Sequence, residues 1–164
     1  MEALIVYESA WGNTRFVADE ISDGLSEHGV VEVIPAHEAP RLVDLTVDLL
    51  IVGAPTHAFG LSREGTREEA HNRGGELISS GVREWLDASG HADLAVATFD
   101  THIRHPDLPG HAGKSIAKKL KKLGCRMIAD PATFYVDGHE GPLLPGELDR
   151  ARAWGESLAK RGDG

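Results

Sequence analysis

The sequence predicts an α/β domain, a parallel sheet with helices packed on both faces. Three observations carry that prediction. Short apolar runs recur without polar alternation, as strands buried on both sides require. Segments with apolar residues at helical spacing separate those runs. Glycine and proline punctuate the junctions. Strands alternating with helices close into parallel sheets with right-handed crossovers.

Leu4-Ile5-Val6-Tyr7 is the first strand. Asn13 or Thr14 supplies a cap for the helix that follows. In that helix Val17, Ile21 and Leu25 recur every fourth residue, Phe16 and Ala18 widen the apolar face, and Gly29 is the C-cap. Val31, Val33 and Ile34 form the second strand, and a short connection holds Pro40. Leu49-Leu50-Ile51-Val52 is the third strand, broken by Gly53-Ala54-Pro55. Residues 61–80 are polar, with Arg63, Glu64, Arg67, Glu68 and Glu69 close together. They read as a long loop with one helical turn at most, and such loops in compact domains are functional or mobile.

Residues 82–88 suggest a short helix burying Val82, Trp85 and Leu86. Leu94-Ala95-Val96-Ala97-Thr98-Phe99 is the fourth strand, and a loop rich in His and Pro follows from Asp100 to about Gly110. Ile116, Ala117, Leu120 and Leu123 give the next helix its apolar face. Lys118, Lys119, Lys121 and Lys122 read as its solvated side. The fifth strand lies between Cys125 and Val136, interrupted near Asp130-Pro131. Leu148, Ala151, Trp154 and Leu158 mark a closing helix.

The 164 residues suit one domain, 1–164, with no internal repeat. Apolar residues make up 41% and charged residues 26%, which excludes a disordered chain. No stretch approaches the ~20 apolar residues of a membrane helix. The N-terminus lacks a basic segment followed by a long apolar one, so no secretory leader is expected. Cys125 is the single cysteine, so no internal disulfide forms, and a cytoplasmic location is expected. The net charge of -9 and pI of about 5.4 repel nucleic acid and anionic membranes. They suit a basic protein partner. Acidity also serves solubility alone.

In an open parallel sheet, ligands sit beyond the C-terminal strand ends where the strand order switches. The first such segment reads Ser9-Ala10-Trp11-Gly12-Asn13-Thr14. A helix start offers unpaired N–H groups and partial positive charge, which favour an anion. Gly12 lets the backbone curl closely, and Ser9 and Thr14 add hydroxyl donors. Neither G-x-x-x-x-G-K-[ST] nor G-x-G-x-x-G is present, so a nucleoside-triphosphate loop and a dinucleotide fingerprint are not indicated. The same residues also suit a plain strand–helix turn with a glycine and a cap.

This segment resembles the FMN-phosphate loop of flavodoxins, T/S-x-T-G-N-T. With the strand–helix alternation and two further loops, the likeness runs over nearly the whole chain, to short-chain flavodoxin-like FMN-binding proteins. The resemblance implies a three-layer sandwich around a five-stranded parallel sheet of order 2-1-3-4-5, with FMN at the switch point. It implies that Ser9, Gly12, Asn13 and Thr14 cradle the phosphate, with Ala10 and Trp11 beside it. Trp11 departs from the family's usual hydroxyl residue.

The second loop, Gly53-Ala54-Pro55-Thr56-His57-Ala58-Phe59-Gly60, is similar to the family's G-[ST]-P-T-[YW] segment. The likeness places Pro55, Thr56, His57, Ala58, Phe59 and Gly60 at the flavin, with His57 or Phe59 stacked on one ring face. The third, Thr98-Phe99-Asp100-Thr101-His102-Ile103-Arg104-His105, implies contacts from Thr98, Phe99, Asp100, Thr101 and His105. No Tyr or Trp lies between Asp100 and Gly110, where the family often places an outer aromatic ring. A weaker stack predicts looser binding and a less negative potential, unless Trp11 or His105 substitutes.

His102, His105 and His111 lack the cysteines and tight spacing of a zinc site, and read as an exposed polar loop. No G-x-S-x-G surrounds Ser9, and Cys125 reads as a buried small hydrophobe. No catalytic residue is assigned. The expectation is an FMN-binding electron-transfer protein, monomeric, shuttling electrons between a reductase and an acceptor enzyme. The alternatives are an FMN-dependent oxidoreductase of the quinone-reductase or protoporphyrinogen-oxidase kind, with residues 61–80 as a lid, and a related scaffold that has lost FMN.

Overall fold

The computed structural model describes residues 1–57, 60–75, 80–104 and 108–162. Strands β1 (Glu2–Tyr7), β2 (Val30–Pro35), β3 (Leu49–His57) and β5 (Ala95–Ile103) pair in parallel in the order β2-β1-β3-β5. The fifth position is shared by β6 (Arg126–Met127) and β7 (Ala132–Val136), both parallel to β5. The chain leaves the ladder between them, where the interruption was expected at Asp130-Pro131. The two-residue β4 (Gly60–Leu61) folds back antiparallel on β3, pairing Thr56 with Leu61 and His57 with Gly60. The core sheet thus has the expected 2-1-3-4-5 order, with an added hairpin on the third position.

Continuous apolar runs serve both faces because successive side chains alternate. Leu4, Val6, Leu50, Val52 and Val96 face one layer, with Leu86, Ile116 and Leu120 from helices α3 (Val82–Asp87) and α4 (Ala112–Lys122). Ala3, Ile5, Leu49, Ile51, Ala97 and Phe99 face the other. There they meet Val17, Ala18, Ile21 and Leu25 of α1 (Asn13–Leu25) and Ala151, Leu158 and Ala159 of α5 (Glu147–Gly162). Helices α1 and α5 touch backbone to backbone: a Cβ at Gly24 would stand 2.2 Å from the Arg152 carbonyl oxygen, and one at Gly155 would stand 2.4 Å from that of Ile21.

Several expectations are corrected. A nine-residue helix, α2 (Glu64–Asn72), occupies part of the segment read as a loop. Its sequence is almost wholly polar, so no apolar stripe announced it. Strand β5 runs on to Ile103, so Asp100, Thr101 and His102 are buried strand residues rather than an exposed loop. Helix α1 is capped by Gly12 in the left-handed conformation (φ 93°), not by an Asn13 or Thr14 side chain. Phe16 and Leu148, placed on core faces by spacing, are exposed. Gly29 does not cap α1, which ends at Leu25 before a 3-10 turn. It is extended, and a Cβ there would lie 2.1 Å from the Met1 carbonyl oxygen. Val82, Trp85, Leu86 and Cys125 are buried as expected. No helix among the described residues is long and apolar enough to cross a membrane.

Candidate functional site

Strand order reverses between β1 and its neighbours β2 and β3, and a cleft of about 290 Å³ opens past the C-terminal ends of β1, β3 and β5. Of the predicted residues, Ser9, Ala10, Trp11, Asn13, Thr14, Pro55, Thr56, His57 and Thr101 line it.

The loop after β1 brings hydrogen-bond donors together at the start of α1. Ser9 Oγ accepts the Gly12 N–H at 3.0 Å, which folds the loop back on itself and leaves the serine O–H to donate elsewhere. The first intrahelical bond of α1 runs from the Phe16 N–H to the Gly12 carbonyl, so the amides ahead of Phe16 have no partner within the helix. No carboxylate sits in this first turn to oppose an anion. Thr14 Oγ1 and Thr101 Oγ1 lie 2.9 Å apart, both residues buried. One proton joins the two hydroxyls and the other remains to be donated. The Asn13 side chain is committed differently: its Nδ2 donates to the Glu140 carbonyl at 3.0 Å, pinning the loop to the turn after β7.

The loop after β3 carries Thr56, whose Oγ1 accepts the first amide of α4, from Ala112, at 3.1 Å. His57 is half-buried, and its Nε2 has no hydrogen-bond partner among the described residues. Burial, with the nearby charges of Arg67 and His139, pushes its pKa down, so the ring is neutral near pH 7. Trp11 Nε1 is likewise buried without a described partner. Its indole packs against the backbone beyond α2, where a Cβ on Gly75 would meet the ring at 3.1 Å.

Other predicted residues lie elsewhere. Gly60 sits in the β4 hairpin. Thr98 Oγ1 donates to the Gly113 carbonyl at 2.8 Å, beneath the cleft. Phe99 points into the α1/α5 layer, edge-on to Phe134 and Trp154. Asp100 is fully buried and accepts the Gly113 N–H at 2.8 Å, joining β5 to α4. Burial raises its pKa, opposed by that bond, by Thr133 and by the charges of His111 and His102. These three side chains are committed to helix packing, Thr98 and Asp100 to α4 and Phe99 to the α1/α5 layer. Ala58, Phe59 and His105 lie outside the described residues.

The sequence reading missed Thr66, Glu69, Ala70 and Arg73 of the α2 segment, and His102, Ile103, Val136 and His139 at the sheet's C-terminal edge. Thr66, Glu69, Ala70 and Arg73 are spaced as one helical face, the only signal that could have found them. His102 is buried, stacked on His111 with ring centroids 4.5 Å apart, with Nδ1 at 2.6 Å from the Ile103 carbonyl oxygen and Nε2 at 3.1 Å from that of Gly110. No metal-binding cluster occurs among the described residues.

Known proteins share this fold. The flavodoxin family profile matches residues 5–154. A flavodoxin from the domain Archaea superposes with a TM-score of 0.70 at 22% identity, covering 100% of both chains. Oxidised flavodoxin 1 from Bacillus cereus gives 0.70 at 18% identity, covering 98% of each chain. The flavodoxin of Streptococcus pneumoniae TIGR4 gives 0.72 at 18%, covering 98% of this chain and 99% of that one. No curated protein matches the sequence.

The residues present fit an FMN. Amides of a capped helix start and a spare hydroxyl proton suit a phosphate, while two buried ring nitrogens, Trp11 Nε1 and His57 Nε2, have no hydrogen-bond partner among the described residues and lie in the same cleft.

Proposed function

This chain belongs to the flavodoxin family, whose members bind FMN and transfer electrons, and from that premise we propose that it is a carrier, taking electrons from a reductase and passing them to an acceptor enzyme. FMN supplies the redox chemistry in such a protein, and the chain supplies binding, orientation and electrostatics. In this reading the loop of Ser9, Ala10, Trp11, Gly12, Asn13 and Thr14 holds the phosphate: Ser9 and the Thr14–Thr101 pair donate hydroxyl protons, the first amides of α1 donate beside them, and Asn13 keeps the loop in place. Pro55, Thr56 and His57 line the ring side, and neutral His57 offers Nε2 as a hydrogen-bonding atom.

The observation that carries the proposal is the cleft itself, which joins a helix start whose first turn has no carboxylate to Pro55, Thr56 and His57 at the strand switch. The net charge of -9 favours transient encounter with basic partners. The deciding experiment reconstitutes the protein with FMN and offers NAD(P)H, first alone and then with a flavoprotein reductase and cytochrome c. A carrier stays oxidised alone and relays electrons only when the reductase is present.

One observation favours a second reading, an FMN-dependent oxidoreductase with a small-molecule acceptor. Helix α2 lends the cleft a wall from Thr66, Glu69, Ala70 and Arg73, which encloses it more than strand-end loops alone would. Sustained quinone reduction by NAD(P)H with the isolated protein would select this reading over the carrier.

A further inference from the structure

Helix α2 presents Thr66, Glu69 and Ala70 to the cleft, with Arg73 at its C-terminal cap, yet little in its own sequence holds it there. Among its nine residues only Ala70 is apolar, and only Ala70 and Arg67 are buried. A helix this short is marginal without tertiary support, and Gly65 lowers its propensity further. The Arg73–Glu69 pair, 2.7 Å apart, is solvent-exposed and contributes little.

What lies under α2 is a buried polar network. Arg67, 4% exposed, places Nη1 at 2.7 Å from Glu84 Oε1 and donates to Ser62 Oγ at 3.1 Å. Ser62 Oγ in turn donates to Glu8 Oε2 at 2.5 Å. Glu8 Oε1 accepts the Val82 N–H at 2.9 Å, and Glu84 Oε1 accepts the Gly81 N–H at 2.9 Å, so both carboxylates also fasten the start of α3. Arg83 closes the ring from the other side, donating through Nε to the Ser62 carbonyl at 3.1 Å and through Nη2 to that of Leu61 at 3.0 Å. The space is spent on this network alone: a Cβ on Gly81 would lie 2.0 Å from Glu8 Oε1. Glu8 immediately precedes Ser9, the first residue of the phosphate cradle.

Burying the Glu8 carboxyl and the Arg67 guanidinium is costly, and apolar packing would hold a helix as well, so such a network points to specific placement. We infer that Arg67, Ser62 and Glu8 are positioning residues: their network seats α2 as the outer wall of the cleft and fixes that wall to the strand end that begins the phosphate cradle. The inference rests on reading the cleft as the FMN site. Arg67 and Glu8 are covered and do not line the cleft. They act through the residues on α2's cleft face and through the loop at Ser9.

The test uses the full chain, flavin-free and FMN-loaded, as wild type, Arg67→Met, Arg67→Lys and Ser62→Ala. Amide hydrogen exchange reports α2 separately from the sheet, and FMN titration reports the cleft. In Arg67→Met the amides of residues 64–72 should lose their protection while β1, β3 and β5 keep theirs. FMN should bind at least about tenfold more weakly. Arg67→Lys, which keeps the charge but not the fork, should restore part of both. Ser62→Ala, which removes only the central hydroxyl, should reproduce the direction of both changes and decides the matter if Arg67→Met does not fold. FMN should add protection to α2 in the wild type and not in Arg67→Met.

Unchanged α2 protection in both Arg67→Met and Ser62→Ala overturns the network's role. Lost α2 protection with wild-type FMN affinity overturns the positioning role. If the wild type binds no FMN, the reading of the cleft fails instead, and α2 exchange in the flavin-free protein still decides whether the network seats the helix.

Discussion

Thr14 Oγ1 and Thr101 Oγ1 lie 2.9 Å apart across the floor of the cleft, one at the start of α1 and the other on β5, 87 positions later in the chain. Two hydroxyls joined by a single hydrogen bond keep one proton in reserve. The pair therefore ties the start of α1 to the central sheet and keeps a hydroxyl proton free to donate.

Thr14→Ala should weaken FMN binding by about 1–3 kcal/mol, the worth of a hydrogen bond to a charged group. Riboflavin, which lacks the phosphate, should bind less well than FMN to the wild type and lose much less from the substitution. Paired titrations of the two ligands check this. An equal loss for both would mean that the threonine supports the fold of the cleft rather than the phosphate.

His57 gives a pH dependence with a definite sign. Its folded pKa lies below the ordinary histidine value of about 6.5, chiefly through burial. Between those two values the unfolded chain binds more protons than the folded one, so stability falls as pH drops below about 6.5. Thermal melts of His57→Gln against wild type should show the variant losing less on going from pH 7.5 to pH 5.5. Parallel losses in both proteins would contradict the assignment.

Asp100 acts in the opposite sense to a salt-bridged carboxylate. Its folded pKa is raised, chiefly by burial, so its contribution is fully present below the ordinary carboxylate pKa of about 3.9 and is lost as pH rises through the raised value. Asp100→Asn keeps an oxygen for the Gly113 N–H and removes the charge. Its melting temperature relative to wild type should climb from pH 4 to pH 8. An offset that stays constant over that range would mean that burial does not govern this carboxyl.

The sheet was legible because Leu4-Ile5-Val6-Tyr7 and Leu49-Leu50-Ile51-Val52 are apolar on both faces, a pattern that surface elements rarely show. The tight turn at the head of α1 was legible because Gly12 follows a buried strand and opens a helix, and it is the left-handed residue there. What escaped were elements whose causes lie far away in the chain. Strand β5 passes its apolar run where Asp100 finds the Gly113 amide, a partner no local pattern reveals. Helix α2 escaped because Arg67 and Ser62, polar in sequence and thus read as solvated, are buried against Glu8 more than 50 positions away. Phe16 shows the converse: it has helical spacing but no facing surface, and it is 55% exposed.

The central claim is that the cleft at the ends of β1, β3 and β5 holds FMN by its phosphate. The most direct measurement is a fluorescence titration of flavin-free protein with FMN, repeated with riboflavin. Saturable quenching at one FMN per chain, with riboflavin markedly weaker, is the predicted result. No saturable FMN binding, or equal affinity for the two ligands, would contradict it.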